Sequence, residues 1–433
     1  MYTPPSARML EIFVLLCILV PAVQAIDPLW TVPASPGVEL STVAISGDGS
    51  IIIAGGSQLM ALRPDGTKLW TGWSGTLIDM SRDGRYIVTS QGQTVRLFNR
   101  QGTMLWDQPL GAAASDVSIS PDGQIIAAGG GSYVQSWYNS GSGLGRNVTE
   151  AVRDIRLSPV KDQIIVTTEK AVRSFNLSYV PNWYDDTISP GIVAVSADGT
   201  GIVIPNGNHI RMYHGGGTVL WDRSFPGGNI ISLAYSPDGS TIVAGRDDGT
   251  VLALDGDGNL LFTAKAGAWA TGVGVSDNGS TIASGSIDNH VRIFDRQGTL
   301  LGDYTTQSPV KSRSVAVSGD GSLIVAVDLS EVYGFSRPGS GPAPPSPASA
   351  VIRNISSGPG NATPVSSLPS VPVPVPSGNA TVPAAGTTPS SGLPWILTVV
   401  PLALVLLAWK RADRILNRDV LSMAMPEKKV SGR

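Results

Sequence analysis

The sequence predicts an all-β fold: an eight-bladed β-propeller of four-stranded blades, closed by the N-terminal strand and followed by a stalk and one C-terminal transmembrane helix. Three observations carry this prediction. First, one anchor recurs eight times, a serine, a variable residue, then Asp-Gly or a near relative. The anchors begin at Ser46, Ser81, Ser120, Ser158, Ser196, Ser236, Ser276 and Ser318, a mean spacing of about 39 residues, which is a blade length. Second, each repeat has the same internal order. In the second, Leu77–Met80, Tyr86–Thr89, Thr94–Phe98 and Thr103–Trp106 alternate as strands, separated by Asp-Gly, Gln-Gly and Gln-Gly turns of the kind tight hairpins need. Third, the eighth repeat has only three strands, while Leu29-Trp30-Thr31 at the start of the chain matches the fourth strands Leu69-Trp70-Thr71 and Leu105-Trp106. A ring closed that way leaves only short, protected edges. Seven blades is the alternative if the fourth anchor, Ser158-Pro-Val-Lys-Asp162, is false.

The elements follow in order. Residues 1–25 read as a signal peptide: Arg8 supplies the positive start, Ile12–Val20 is an apolar core too short to span a bilayer, and Val23-Gln24-Ala25 offers small residues for cleavage. The mature chain then starts near Ile26. The single cysteine, Cys17, lies in that signal, so the mature chain has no disulfide, thiolate metal site or cysteine nucleophile. Residues 26–337 form the propeller. Residues 338–392 are rich in Pro, Ser, Thr and Ala with Arg353 as the only charge, a stalk that cannot bury enough apolar surface to fold. Residues 393–409 are uncharged and apolar, with Trp395 and Trp409 near the ends, and read as a transmembrane helix. Lys410, Arg411, Arg414 and Arg418 open a basic cytoplasmic tail, residues 410–433. The positive-inside rule makes the chain a single-pass type I protein of the cell membrane with its propeller extracellular. Sequons at Asn147, Asn176, Asn278, Asn354, Asn361 and Asn379 fit that exterior, as glycosylation sites in a suitable host. The net charge is -3 with 15% of residues charged, which gives no electrostatic footprint for nucleic acid.

Residues 244–255 (Ala-Gly-Arg-Asp-Asp-Gly-Thr-Val-Leu-Ala-Leu-Asp) and 284–295 (Ser-Gly-Ser-Ile-Asp-Asn-His-Val-Arg-Ile-Phe-Asp) resemble the second and third strands of WD40 blades. The opening Gly-His pair of that family is missing, and Trp-Asp is replaced by Phe-Asp, Leu-Asp or Phe-Asn. The recurring Gly-Thr-x-Leu-Trp ending is similar to the blade repeats of pyrroloquinoline-quinone-type propellers. The chain thus resembles a divergent member of the WD40/quinoprotein-like superfamily over about residues 29–337. That resemblance implies an architecture more than a function, because the fold hosts unrelated ones. Its enzymatic branch implies a quinone and a calcium ion at the ring axis, and many such enzymes stack an adjacent-cysteine disulfide on the quinone. The mature chain has no cysteine, and no Glu, Asn and Asp set at axis-facing positions stands out, so no cofactor and no catalysis are expected.

Several residues carry chemistry. Asp255-Gly-Asp-Gly-Asn259 has the look of a calcium loop but has Ala266 at the twelfth position, where a bidentate Glu is needed, and reads as a hairpin turn. His209 and His290 hold equivalent positions at the start of third strands in non-adjacent blades, and no metal site is expected from them. Arg96, Arg173, Arg211 and Arg292 recur in the same strands, with stems expected to pack between blades. Two residues before most anchors the innermost strand has a small residue: Ala44, Ser118, Ala194, Ala234, Gly274 and Ala316. Asp79 and Arg156 break that rule, and Asp116, Arg153, Asp154 and Arg313 lie just upstream. These six are expected around one mouth of the channel, as a polar ligand site or as ion pairs that satisfy one another. The expected role is a cell-surface binding or scaffold module for an extracellular protein or glycan, with a quinoprotein-like enzyme as the alternative.

Overall fold

A computed structural model describes residues 25–147, 150–158 and 163–339. They form eight antiparallel four-stranded sheets. Seven are continuous in sequence, spanning residues 40–72, 77–109, 116–147, 152–185, 194–224, 230–265 and 270–305, numbered here blades 1 to 7. Blade 8 combines residues 315–336 with Trp30–Pro33, whose register on the last strand is Trp30↔Gly334 to Pro33↔Glu331. Blade 4, which contains the weakest anchor, is a full four-stranded sheet, so the count is eight, not seven.

In the seven blades whose anchor turn lies within the described residues, the anchor forms the first hairpin through local bonding. In blade 1 Ser46 donates to Asp48 (2.6 Å) and accepts the N–H of Ile51 (3.1 Å), while Asp48 also accepts the N–H of Ser50 (3.0 Å). Gly49 sits at φ +70°, a conformation that glycine adopts without strain. Ser81, Ser120, Ser196, Ser236, Ser276 and Ser318 repeat the bond to the residue two places on. All these serines are buried. The variable residues of the described turns link the blades through main-chain bonds: Gly47 donates to Arg82, Arg82 to Pro121, Ala197 to Pro237, Asp277 to Gly319 and Gly319 to Gly47, at 2.8–3.0 Å. Pro237 has no N–H, and Asp238 donates to Asp277 in its place (3.1 Å).

The core lies between the blades rather than within them. Ile51, Ile53, Leu59 and Ala61 of blade 1 pack on Ile78, Met80, Ile87 and Phe98 of blade 2. Val88, Val95 and Leu97 of blade 2 pack on Val117, Ile119 and Ile126 of blade 3. Each blade therefore buries both faces, and its second strand is buried along almost its whole length, as in Ile52–Gly56 and Thr281–Ser286.

Among the described residues no helix is long and apolar enough to cross a membrane. The expected signal segment up to residue 24, the stalk from residue 340, the helix at 393–409 and the tail lie outside the described residues, as do Asn354, Asn361 and Asn379. Asn147 ends the outermost strand Gly143–Asn147. Asn176 ends the strand Val172–Asn176 and Asn278 sits in a turn, and their side-chain oxygens accept N–H groups of Ser178 (3.0 Å) and Ser280 (3.0 Å).

Candidate functional site

The innermost strands of all eight blades line an axial channel of about 430 Å³. Ser118, Ala194, Ala234 and Gly274 line it, as their small size anticipates, and so do Asp79 and Arg156. Strand direction gives the ring two distinct faces. The Ser-x-Asp-Gly turns lie on one. The loops that carry the chain from one blade to the next lie on the other, where the innermost strands begin.

At the loop face four of the six candidate residues meet. Arg313 stands in the loop before Val315–Val317 of blade 8, at φ +60°. It reaches across the channel to Asp116 of blade 3, and its second nitrogen is 3.3 Å from Asp154 of blade 4, the blade opposite its own. Arg156 also pairs with Asp116 and lies 3.3 Å from Asp154. Both aspartates are buried, at 0% and 1% exposure, so each needs its full set of partners. Asp116 accepts the N–H of Ile155 (3.3 Å), and Asp154 accepts those of Ile155 (3.0 Å) and Val193 (2.9 Å).

Asp79 sits beside this group and does a related job. Its oxygens accept the N–H groups of Met80 (2.8 Å) and Ile119 (2.9 Å), the second on the next blade. Ser118 likewise accepts the N–H of Leu157 at 3.1 Å. Asp79, Asp116, Ser118 and Asp154 thus each tie one innermost strand to its successor. The sequence marked Asp79 as an exception and Asp116 and Asp154 as upstream polar residues, and counted Ser118 among the small ones, but did not reveal this shared role.

Arg153 does not join the group. It is half exposed and pairs with Glu169 at 2.6 Å. The register shifts between Val152 and Asp154, a β-bulge that turns the intervening Arg153 away from the axis.

The cluster is electrostatically unequal. Burial pushes Asp116 up, but the guanidinium groups of Arg156 and Arg313 outweigh it and hold the carboxyl well below the usual range. Burial raises Asp154, and the neighbouring charge and hydrogen bond of Asp116 add to the rise. Of the two, Asp154 is therefore the one whose protonated form is favoured. Burial also raises Asp79. Burial disfavours the charged form of Arg156, but Asp116, Asp154 and Asp79 reverse that effect.

At the opposite face Arg82 of blade 2 pairs with Asp277 of blade 7, both lining the channel. No group of three or more His, Cys, Asp or Glu placed to hold a metal ion occurs among the described residues. His209 pairs with Asp222 (3.2 Å) and His290 with Asp303 (2.6 Å), each on the adjoining outermost strand. The recurring arginines bridge acids or carbonyls at blade edges: Arg173 to Glu150, Arg211 to Asp185 and Asp222, Arg292 to Asp288 and Asp303, Arg96 to the carbonyl of Ser74. Asp255 caps its own turn by accepting the N–H groups of Asp257 (3.0 Å) and Asn259 (2.8 Å).

The loop face also carries exposed aromatic surface. Trp73, at φ +35°, is 50% exposed in the loop between blades 1 and 2, and the guanidinium of Arg96 lies 5.7 Å from its ring centre. Trp269 is 53% exposed in the loop between blades 6 and 7, beside exposed Ile287.

Comparison with known proteins adds to this geometry. The family described as WD domain, G-beta repeat matches residues 222–255 and 258–295. No curated protein matches the chain. Among solved structures, the C-terminal WD40 domain of Sif2 is similar at 17% identity and a TM-score of 0.64, covering 73% of this chain and 99% of that one. Sqt1 of Chaetomium thermophilum, solved bound to the N-terminus of the ribosomal protein L10, is similar at 16% identity and a TM-score of 0.57, covering 69% and 97%. At these identities the likeness shows the fold: an eight-bladed propeller that carries WD40 repeats in blades 6 and 7.

Proposed function

We propose that this propeller is a non-catalytic binding scaffold that takes a protein or glycan partner on its loop face. One observation carries the reading: Trp73 and Trp269 stand half exposed on that face, and Trp73 does so in a strained backbone conformation. Large aromatic side chains left in water on loops of a rigid ring are typical anchors of interfaces. Sqt1, with a similar fold, holds the N-terminus of another protein, which supports a peptide-like partner. The buried ion cluster serves as the floor of that face: Asp116, Asp154, Arg156 and Arg313 bond one another and fix the loops around the mouth, with Asp79 beside them. The signal peptide, stalk, transmembrane helix and basic tail expected from the sequence support a position outside the cell, as a type I membrane protein whose propeller is closed by its N-terminal strand.

The test is affinity capture by the full-length protein on its own cells, followed by direct binding of the captured partner. Trp73→Ala with Trp269→Ala should weaken that binding at least 10-fold, as for anchor residues. Leu220→Ala, on the outermost strand of blade 5, should leave it unchanged. Equal loss in both would move the site to the blade edges, and undiminished binding by the tryptophan pair would refute the loop-face reading.

A further inference from the structure

Six blade junctions are filled in one way. A ring from an outermost strand lies over the glycine of the third turn in the next blade. Trp30 lies on Gly66, Trp70 on Gly102, Trp106 on Gly141, Trp183 on Gly217, Trp221 on Gly258 and Phe262 on Gly298. Each of the six glycines has a positive φ. The five tryptophans also donate to a carbonyl of that turn: Pro64, Arg100, Asn139, Gly215 and Gly256, at 2.7–3.1 Å. At the junction of blades 3 and 4 the ring comes from the other side. Tyr179, in the third turn of blade 4 at φ +59°, is buried there and donates to Ser136 of blade 3 at 3.1 Å.

Blade 7 differs from all of these. Its outermost strand Leu300–Thr305 has Gly302 opposite Ile293, the register place that Trp106 holds opposite Leu97 in blade 2. In blade 8, a Cβ on the following turn's Gly339 would meet nothing within 4 Å. The slot is nonetheless filled. A Cβ at Gly302 would stand 2.6 Å from Cγ2 and 2.8 Å from Cδ1 of Ile26. Ile26 packs on the cluster that includes Val291, Ile293, Tyr333 and Phe335 of blades 7 and 8. Its N–H donates to the carbonyl of Asp303 at 3.2 Å, and Ala25 makes a parallel bridge with Asp303.

We infer that the vacant ring slot of blade 7 is a docking site whose occupant is the chain's own Ile26, added to the outer edge of Leu300–Thr305 by a parallel bridge. Glycine at 302 is what the occupant demands, since any side chain there collides with it. The segment thereby holds the outer edge of blade 7 before Trp30–Pro33 joins blade 8. One stretch of chain spans the last two blades.

The test is a reciprocal exchange of volume in the full chain, read by hydrogen exchange in the strand Leu300–Thr305. Ile26→Ala empties the slot and should speed exchange there at least 10-fold, leaving Val219–Ser224 of blade 5 unchanged. Gly302→Leu alone should collide and also speed exchange. The double variant, with the leucine filling the space that Ile26 left, should return to within about threefold of the natural chain. Unchanged exchange in Ile26→Ala, or purely additive effects, would overturn the assignment. If both leucine variants fail to fold, Ile26→Ala decides alone. Removal of residues 1–25 would take away Ala25 and its bridge to Asp303 but not the Ile26 side chain, whose volume these variants exchange.

Discussion

Asp116 and Asp154 lie against the same two guanidinium groups yet are shifted in opposite directions, and stability should record the difference. Asp116 is depressed, so its contribution is present above the unfolded carboxyl value near 4 and is lost as pH falls through its folded value. Asp154 is raised, so its contribution is complete below that value and is lost as pH rises through the folded one. The urea midpoint of the natural chain should therefore fall between pH 5 and pH 8. Asp154→Asn, which cannot ionise, should remove most of that fall. Asp116→Asn should cost roughly 3–5 kcal/mol at pH 7, because it leaves Arg156 and Arg313 without their shared anion. A midpoint that rises over this range, or equal costs for the two variants, would contradict the assignment. The same result bears on site mapping, since alanine at Asp116 would disturb the loop face by unfolding it rather than by removing a contact.

The fourth strand is the element that sets blade against blade. Trp221 donates to the carbonyl of Gly256 in blade 6 (3.0 Å), whereas Phe262 covers Gly298 in blade 7 with no N–H to give. Trp221→Phe should therefore lose about 1 kcal/mol, and Phe262→Trp should gain a similar amount by reaching the turn carbonyl at residue 296. Chemical denaturation of both variants checks this, and a loss in each would mean that ring size, not the hydrogen bond, governs the junction. Such local rules are also what made the fold legible in the sequence. The serine anchor works within six residues, from Ser46 to Ile51, so it leaves a mark that repeats wherever a first hairpin forms. The fillers at the irregular junctions left no such mark. Tyr179 acts on the preceding blade, and Ile26 answers a glycine more than 270 residues away. Of the candidate site, Arg156 was found because it breaks a small-residue pattern near the axis, and Asp116, Asp154 and Arg313 because they are polar and lie just upstream of that pattern, where the innermost strands begin. Arg153 was misplaced because a bulge, which depends on the partner strand, shifts its register.

At the scale of the whole molecule, the eight blades bury their faces mainly against one another, and the Arg313 and Arg82 pairs cross both ends of the channel. The ring should unfold in one cooperative step, since opening any junction exposes the apolar faces of two blades. The 55 residues from 338 to 392 contain 13 prolines and a single charge, a composition that does not favour a comparable core. These two properties make limited proteolysis a test of both fold and topology. Protease added to intact cells should cut within that segment and release one resistant fragment containing the ring, while the basic tail stays with the membrane. Detection with antibodies to the ring and to residues 410–433 would follow the two halves separately. Cleavage that appears only after the cells are opened would place the ring inside and contradict the type I reading. A ladder of fragments spaced by about 39 residues, the repeat length, would show instead that blades open one at a time and that the ring is not a single cooperative unit.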